Sequence, residues 1–168
     1  LRIVCIQWLD INGKKIMNYK IQLKSSGLKV TEPRLKILAL FERHAGEHMS
    51  ADEIYRLIVD ERGEGEKLLG VATVYRVLGQ LEQSGILLRH QLADGKAVYE
   101  LNLGEPHAHV ICIVCNKIKE FSDPAVDRLQ KEMARDTGYE ILDDHALYIY
   151  GLCPESVSYT HLRAHETE

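Results

Sequence analysis

Long apolar runs are missing from this sequence, and no stretch reaches the length needed to cross a bilayer. Positive charge is in short supply as well. Lys and Arg number 21 against 25 Asp and Glu, a formal net charge of −4, so the overall balance does not mark a nucleic-acid binder, although a local patch could still serve one. No internal repeat or low-complexity block is visible, which sets aside repeat arrays. Cysteine is sparse, at four in 168 residues, and no secretory signal pattern accompanies it. The expectation is a reducing, cytoplasmic setting, where thiols bind metal or stay free more often than they pair. What is present is 45% hydrophobic and 27% charged residues, the make-up of a soluble globular chain long enough for one ordinary domain or two small ones.

Both ends read as foreign. Residues 1–16 begin without Met, and Met17 opens a more regular segment, so 1–16 is taken as a non-native upstream extension, with a genuine N-terminal arm as the alternative. At the other end "VSYTHLRAHET" resembles a translated sequencing adapter, so 156–168 is taken as an adapter-derived tail and His161 and His165 are not counted as ligands. A real metal-binding tail is the alternative.

Four helical patterns and a hairpin fill residues 18–101. A short helix over about 18–26 stops at Gly27. In "TEPRLKILALFERH" Thr31 is placed to cap, Pro33 sits in the first turn, and Ile37, Leu38 and Phe41 form an apolar stripe. Ser50 and Glu53 have the spacing of a capping box ahead of Ile54, Leu57 and Ile58. "VATVYRVLGQLEQSG" puts Val74, Val77, Leu78 and Leu81 on one face, and Gly85 ends it. The period then changes to strands, "ILLRHQ" and "AVYEL", around an Asp94-Gly95 turn. Helices followed by such a hairpin give a winged helix-turn-helix over 17–102. From 103 to 155 the order is strand, C-x-x-C, strand, helix, strand, with Asp123 and Pro124 opening the helix, Val126, Leu129 and Met133 on its apolar face, and Gly138 closing it. The fold class expected is α+β, a winged helix followed by a small α/β domain across the linker "NLGEP".

Histidine and cysteine concentrate in "PHAHVICIVC", and six of the eight histidines lie between His44 and His145. Cys112 and Cys115 fall between two strand-like runs, so the C-x-x-C is a knuckle offering both sulfurs to one metal. A redox motif would need a helix starting at its first cysteine. Cys153 follows the last strand, where a second pair would begin, but its partner is absent. Two buried bystander thiols are the alternative. His107 and His109 are one residue apart, so in an extended segment they share a face. They are read as metal ligands, with ordinary surface histidines as the alternative. Thiolates favour zinc, whereas imidazole with carboxylate also suits iron or manganese. The cysteines therefore point to a permanent zinc and the histidines to a separate, exchangeable ion. Thr73, Tyr75 and Arg76 lie on the polar side of a candidate recognition helix, where such groups can reach a base edge or phosphate, with a plain solvated face as the alternative. Lys24, Lys29, Arg34 and Lys36 make a local positive patch before it.

"GLKVTEPRLKIL", "SADEIY", "GVATVYRVL", "GKAVYEL", "HAHVICIVCNKIKEF" and "HALYIYGLC", in that order, resemble stretches of the ferric uptake regulator family of metal-dependent bacterial repressors, over about Leu23 to Cys153. The resemblance implies a C-terminal dimerisation domain and a regulatory metal site at the hinge, with His48, Glu100, His107, His109 and Glu120 as its ligands. It assigns Cys112, Cys115 and Cys153 to structural zinc with a fourth cysteine missing, places Tyr75 and Arg76 on DNA, and sends Lys29 to the minor groove. Many members carry a richer histidine run with an additional site. Here two of those positions are Pro106 and Ala108, leaving Asp127 and His145 as a residual half-site.

The expected protein is a cytoplasmic homodimeric repressor of iron-uptake genes with Fe2+ as co-repressor, acting on an AT-rich palindromic operator. Manganese, zinc or peroxide sensing are alternatives within the family, with Mn2+, Co2+ or Zn2+ able to take the site. Peroxide sensors of the family favour Asp where this chain has Glu100 and Glu120. A metallohydrolase using His107, His109 and a carboxylate is a further alternative, but no separate general base accompanies them. A zinc-stabilised interaction module is another, and it would need neither His48 nor Glu100.

Overall fold

The computed structural model describes residues 7–9, 15–17, 19–63, 67–104, 107–141 and 146–157. The chain divides into two compact units. One holds the residues up to Gln91 together with Ala97–Gly104; the other holds Leu92–Lys96 and the residues from Glu105 onward.

The first unit opens with two short antiparallel strands, β1 (Gln7–Leu9) and β2 (Lys15–Met17), paired with each other. Four helices follow: α1 (Tyr19–Ser25), α2 (Glu32–Arg43), α3 (Ala51–Asp60) and α4 (Val71–Gln83). Their apolar faces meet in one core in which Leu23, Ile37, Leu38, Ile54, Ile58, Val74, Leu78 and Leu81 are all fully buried. Each such side chain contributes about 1.5–3 kcal/mol by leaving water. Ser50 and Glu53 make the reciprocal capping box expected from their spacing. Thr31 does stand at the N-cap of α2, but its side chain makes no cap hydrogen bond. The backbone is fixed there by Pro33 in the first turn instead. Gly85 adopts φ 69 after α4, a left-handed turn that a side chain would strain.

A three-stranded antiparallel sheet completes the unit, in the order β3 (Met49–Ser50), β5 (Ala97–Leu101), β4 (Leu87–Gln91). The β4–β5 hairpin turns at Asp94-Gly95, where Gly95 has φ 85. The two-residue β3 is too short to show a sequence period, and it adds a third strand to the wing. Its register, Met49 opposite Tyr99 and Ser50 opposite Val98, fixes how the chain before α3 runs along β5.

The second unit is a sheet in the order β7 (Ile118–Phe121), β6 (Ala108–Cys112), β8 (Leu147–Gly151), with helix α5 (Pro124–Thr137) in the β7–β8 connection. β6 pairs antiparallel with β7 and parallel with β8. Asp123 caps α5 through the Ala125 N–H, and Gly138 ends it at φ 79. The apolar row of α5 is present but unburied: none of its residues is buried, and Leu129 and Met133 are 56% and 60% exposed.

Candidate metal centres and DNA-facing helix

The wing sheet gathers three ligand-type side chains inside the first unit. Glu100 is on β5 and is buried. His48 immediately precedes β3, and the Met49–Tyr99 pairing brings it alongside Glu100, with His48 Nε2 3.3 Å from Glu100 Oε2. His90, on β4, is fully buried, and its Nε2 lies 2.8 Å from the other oxygen, Glu100 Oε1. The two imidazole rings meet edge-on with centroids 5.3 Å apart. Donor atoms of all three residues lie within 4.8 Å of one another. A buried carboxylate between two imidazoles is costly to desolvate without such partners, and two nitrogens with one oxygen suit a borderline or hard divalent ion.

His90 is the residue that sequence reasoning missed. The signal was there in the register. Counting back from the Asp94-Gly95 turn places His90 opposite Val98, hence on the same sheet face as Glu100 two residues further on.

In the second unit, His109 on β6 is buried and is the cross-strand partner of Glu120 on β7. His107 precedes β6, and its ring lies 4.7 Å from that of His109. Tyr148 of β8 stacks on His109 at 5.5 Å. Donor atoms of His107, His109 and Glu120 again lie within 4.8 Å of one another, so this unit holds a second mixed nitrogen and oxygen set.

The sulfurs of Cys112, Cys115 and Cys153 also converge to within 4.8 Å. Cys112 ends β6, and the parallel β6–β8 pairing sets it opposite Gly151, which delivers Cys153 two residues later. Cys115 Sγ and Cys153 Sγ are 3.6 Å apart, and the Cys153 N–H donates to Cys112 Sγ at 3.4 Å. The tight turn of the knuckle is closed by Asn116 at φ 59, a left-handed conformation that asparagine tolerates. Ser156, the first residue of the segment read above as a foreign tail, is instead buried against the cluster, with Oγ 3.3 Å from Cys112 Sγ and 3.2 Å from Cys153 Sγ. Hydrogen bonding from Ser156, then from the backbone N–H groups of Cys115, Cys153 and Val114, lowers the Cys112 thiol from 9.0 to about 5. A cluster that already favours the thiolate fits zinc, which is bound by thiolate and not by thiol. Of the residual half-site, Asp127 lies in the first turn of α5, half-buried. His145 and Pro106 fall outside the described residues.

The candidate DNA contacts sort by exposure. Tyr75 and Arg76 are exposed on α4, whereas Thr73 is half-buried in its first turn. The Tyr75 hydroxyl donates to Asp52 Oδ1 of α3 at 3.1 Å, and this bond raises the phenol above its ordinary pKa and orients the ring. Lys29 is exposed. Arg34, read above as part of the positive patch, is engaged inside the unit: Nη1 donates to the Lys29 carbonyl and Nη2 to Gln80 Oε1 at 2.8 Å. It ties the approach to α2 onto α4, so the patch keeps fewer cations for phosphate than the sequence promised.

A winged helix, followed in the chain by a sheet with a thiol cluster and an imidazole pair, fits a metal-responsive transcriptional regulator. The family model described as "Ferric uptake regulator family" matches residues 25–150, and the chain belongs to that family. It is 54% identical over 134 residues to a ferric uptake regulation protein of Neisseria gonorrhoeae, covering 80% of this chain and 90% of that one. Among solved structures it is similar to the Vibrio cholerae ferric uptake regulator, in which the DNA-binding domains are rearranged. There the TM-score is 0.69 and the identity 42%, over 81% of this chain and 100% of that one. It is similar also to the Francisella tularensis regulator solved with iron, with TM-score 0.68 and 41% identity over 78% and 96% of the two chains.

Proposed function

We propose that this protein is an iron-sensing repressor in which His48 and Glu100 of the first unit and His107, His109 and Glu120 of the second hold one exchangeable divalent ion. The observation that carries the reading is that each unit separately gathers a nitrogen and oxygen donor set without sulfur. Neither set alone fills a five- or six-coordinate shell. The ion supplies a positively charged cross-link between groups that the chain keeps in different units. His48 and Glu100 fix the winged helix through it, and the bound form of the protein gains population over forms in which the units move independently. Each tenfold preference for the bound form is about 1.4 kcal/mol. The mixed shell suits Fe2+, and Mn2+, Co2+ or Zn2+ can take the same donors.

Cys112, Cys115 and Cys153 hold a structural Zn2+ that stays in place while the other ion exchanges. Reduced thiols agree with a cytoplasmic protein. The exposed apolar row of α5 supports a homodimer with the second unit as the dimerisation domain. Two winged helices then address successive major grooves, about 34 Å apart. Tyr75 and Arg76 read an AT-rich palindromic operator, Thr73 supports the helix start against phosphate, and Lys29 enters the minor groove.

The test is anaerobic operator binding by fluorescence anisotropy, with Fe2+ or Mn2+ and with chelator. Tight binding that needs the ion is expected. Equal affinity with and without metal would refute the reading.

A further inference from the structure

The buried His90 belongs to the wing cluster but is left out of the ligand set proposed above, and its Nε2 lies 2.8 Å from Glu100 Oε1. We infer that His90 is a positioning residue for Glu100: its Nε2–H holds one carboxylate oxygen and so sets the direction of the other. The inference rests on the reading that Glu100 ligates the exchangeable ion. Three observations within the first unit carry it. The β4–β5 register makes His90 and Glu100 diagonal neighbours on one face of the hairpin. The carboxylate is divided between two imidazoles, Oε1 toward His90 at 2.8 Å and Oε2 toward His48 at 3.3 Å. The first distance is that of a well-made N–H···O hydrogen bond and the second is long for one. A carboxylate can only accept, so the proton of the short contact sits on His90 Nε2.

His90 is 2% exposed and Glu100 6%, so water offers little substitute for this bond. Without it, Oε1 of Glu100 would lose its 2.8 Å partner, and the carboxylate would be held less firmly in the direction that presents Oε2. That change misdirects a ligand without deleting one. Groups that hydrogen-bond a ligating side chain typically govern metal affinity by about 10–100-fold.

The experiment uses the full chain with its zinc in place and Co2+ as the spectroscopic probe. His90→Leu, His90→Gln and Glu100→Ala are compared with the parent by Co2+ titration, with the visible d–d spectrum recorded at saturation. The glutamine amide can present an N–H to Oε1, whereas leucine fills the space with no donor. His90→Leu is expected to weaken Co2+ binding about 10–100-fold while the spectrum at saturation keeps its shape, and His90→Gln is expected to recover most of the loss. Parental affinity in His90→Leu overturns the inference, as does a glutamine variant no better than leucine. A changed spectrum in His90→Leu also overturns it, because His90 would then be a ligand itself. Glu100→Ala separates the two levels of the reading: if it binds Co2+ like the parent, the ligand assignment of Glu100 has failed. If only Glu100→Ala is weakened, the positioning role alone has failed.

Discussion

If one ion is shared between the units, removing a ligand from either unit should do the same damage, and removing both should do no more. Consider His48→Ala, His107→Ala and the double variant. The ligand set proposed above takes His48 and Glu100 from the first unit and His107, His109 and Glu120 from the second. His48→Ala leaves the first unit one ligand and His107→Ala leaves the second two, so either variant breaks up the five-donor set that the cross-link needs. Take a metal stimulation of operator binding of about 100-fold in the parent, which is about 2.7 kcal/mol of coupling. Each single variant should forfeit nearly all of it. Independent sites would divide that coupling, so each single variant would lose only its own share and the two losses would sum to about 2.7 kcal/mol in the double variant. A shared ion makes each single loss nearly the whole of about 2.7 kcal/mol and leaves the double variant little more to lose, a non-additivity that a double-variant cycle reads directly. The assay is anaerobic anisotropy on operator duplex titrated with Mn2+ in all four proteins, with metal-free binding as the baseline. His48 is nearly buried, so each variant's melting curve and zinc content must show a folded protein before its affinity is interpreted. Additive losses would refute the shared ion, and so would an His107→Ala protein that responds to metal like the parent.

The cysteine cluster predicts that Cys115→Ser and Cys153→Ser each lose stoichiometric zinc and melt at lower temperature, since structural metal contributes folding free energy directly. A Cys153→Ser protein that retains full zinc by elemental analysis would exclude Cys153 from the site. Strong chelation of the parent should lower the melting temperature in the same way, reversibly on adding Zn2+. Glu53→Ala removes one half of the capping box on α3 and should cost about 1 kcal/mol of stability in denaturant unfolding, with metal content unchanged. On DNA, Tyr75→Ala should narrow the gap between operator and random duplex, while Lys29→Ala should weaken both alike and reduce the salt slope by about 1. Equal effects of the two substitutions on both duplexes would remove those roles.

What the sequence by itself determined is what depends on neighbours a few residues away. The Ser50–Glu53 box, the Asp123–Pro124 start and Gly138 stop of α5, the Asp94-Gly95 turn and the pairing of Cys112 with Cys115 are all local, because caps and turns are satisfied by backbone groups within one turn of the chain. The apolar stripes of α2, α3 and α4 likewise showed which faces would be buried, since helical period alone sorts them. Partners distant in the chain were decided only by the tertiary structure. Cys153 reaches Cys112 and Cys115 because β8 lies parallel to β6, a pairing that hydrogen-bond register creates and composition does not show. Arg34 was legible as a charge, yet its destination, the Lys29 carbonyl and Gln80, follows from how α2 packs on α4. The Leu129 and Met133 row of α5 was legible as apolar, but among the described residues it stays exposed. His90 joins Glu100 through strand register, where a shift of one residue would turn it to the opposite face of the sheet. Residue type announces which chemistry is available, and strand pairing decides which of those groups meet.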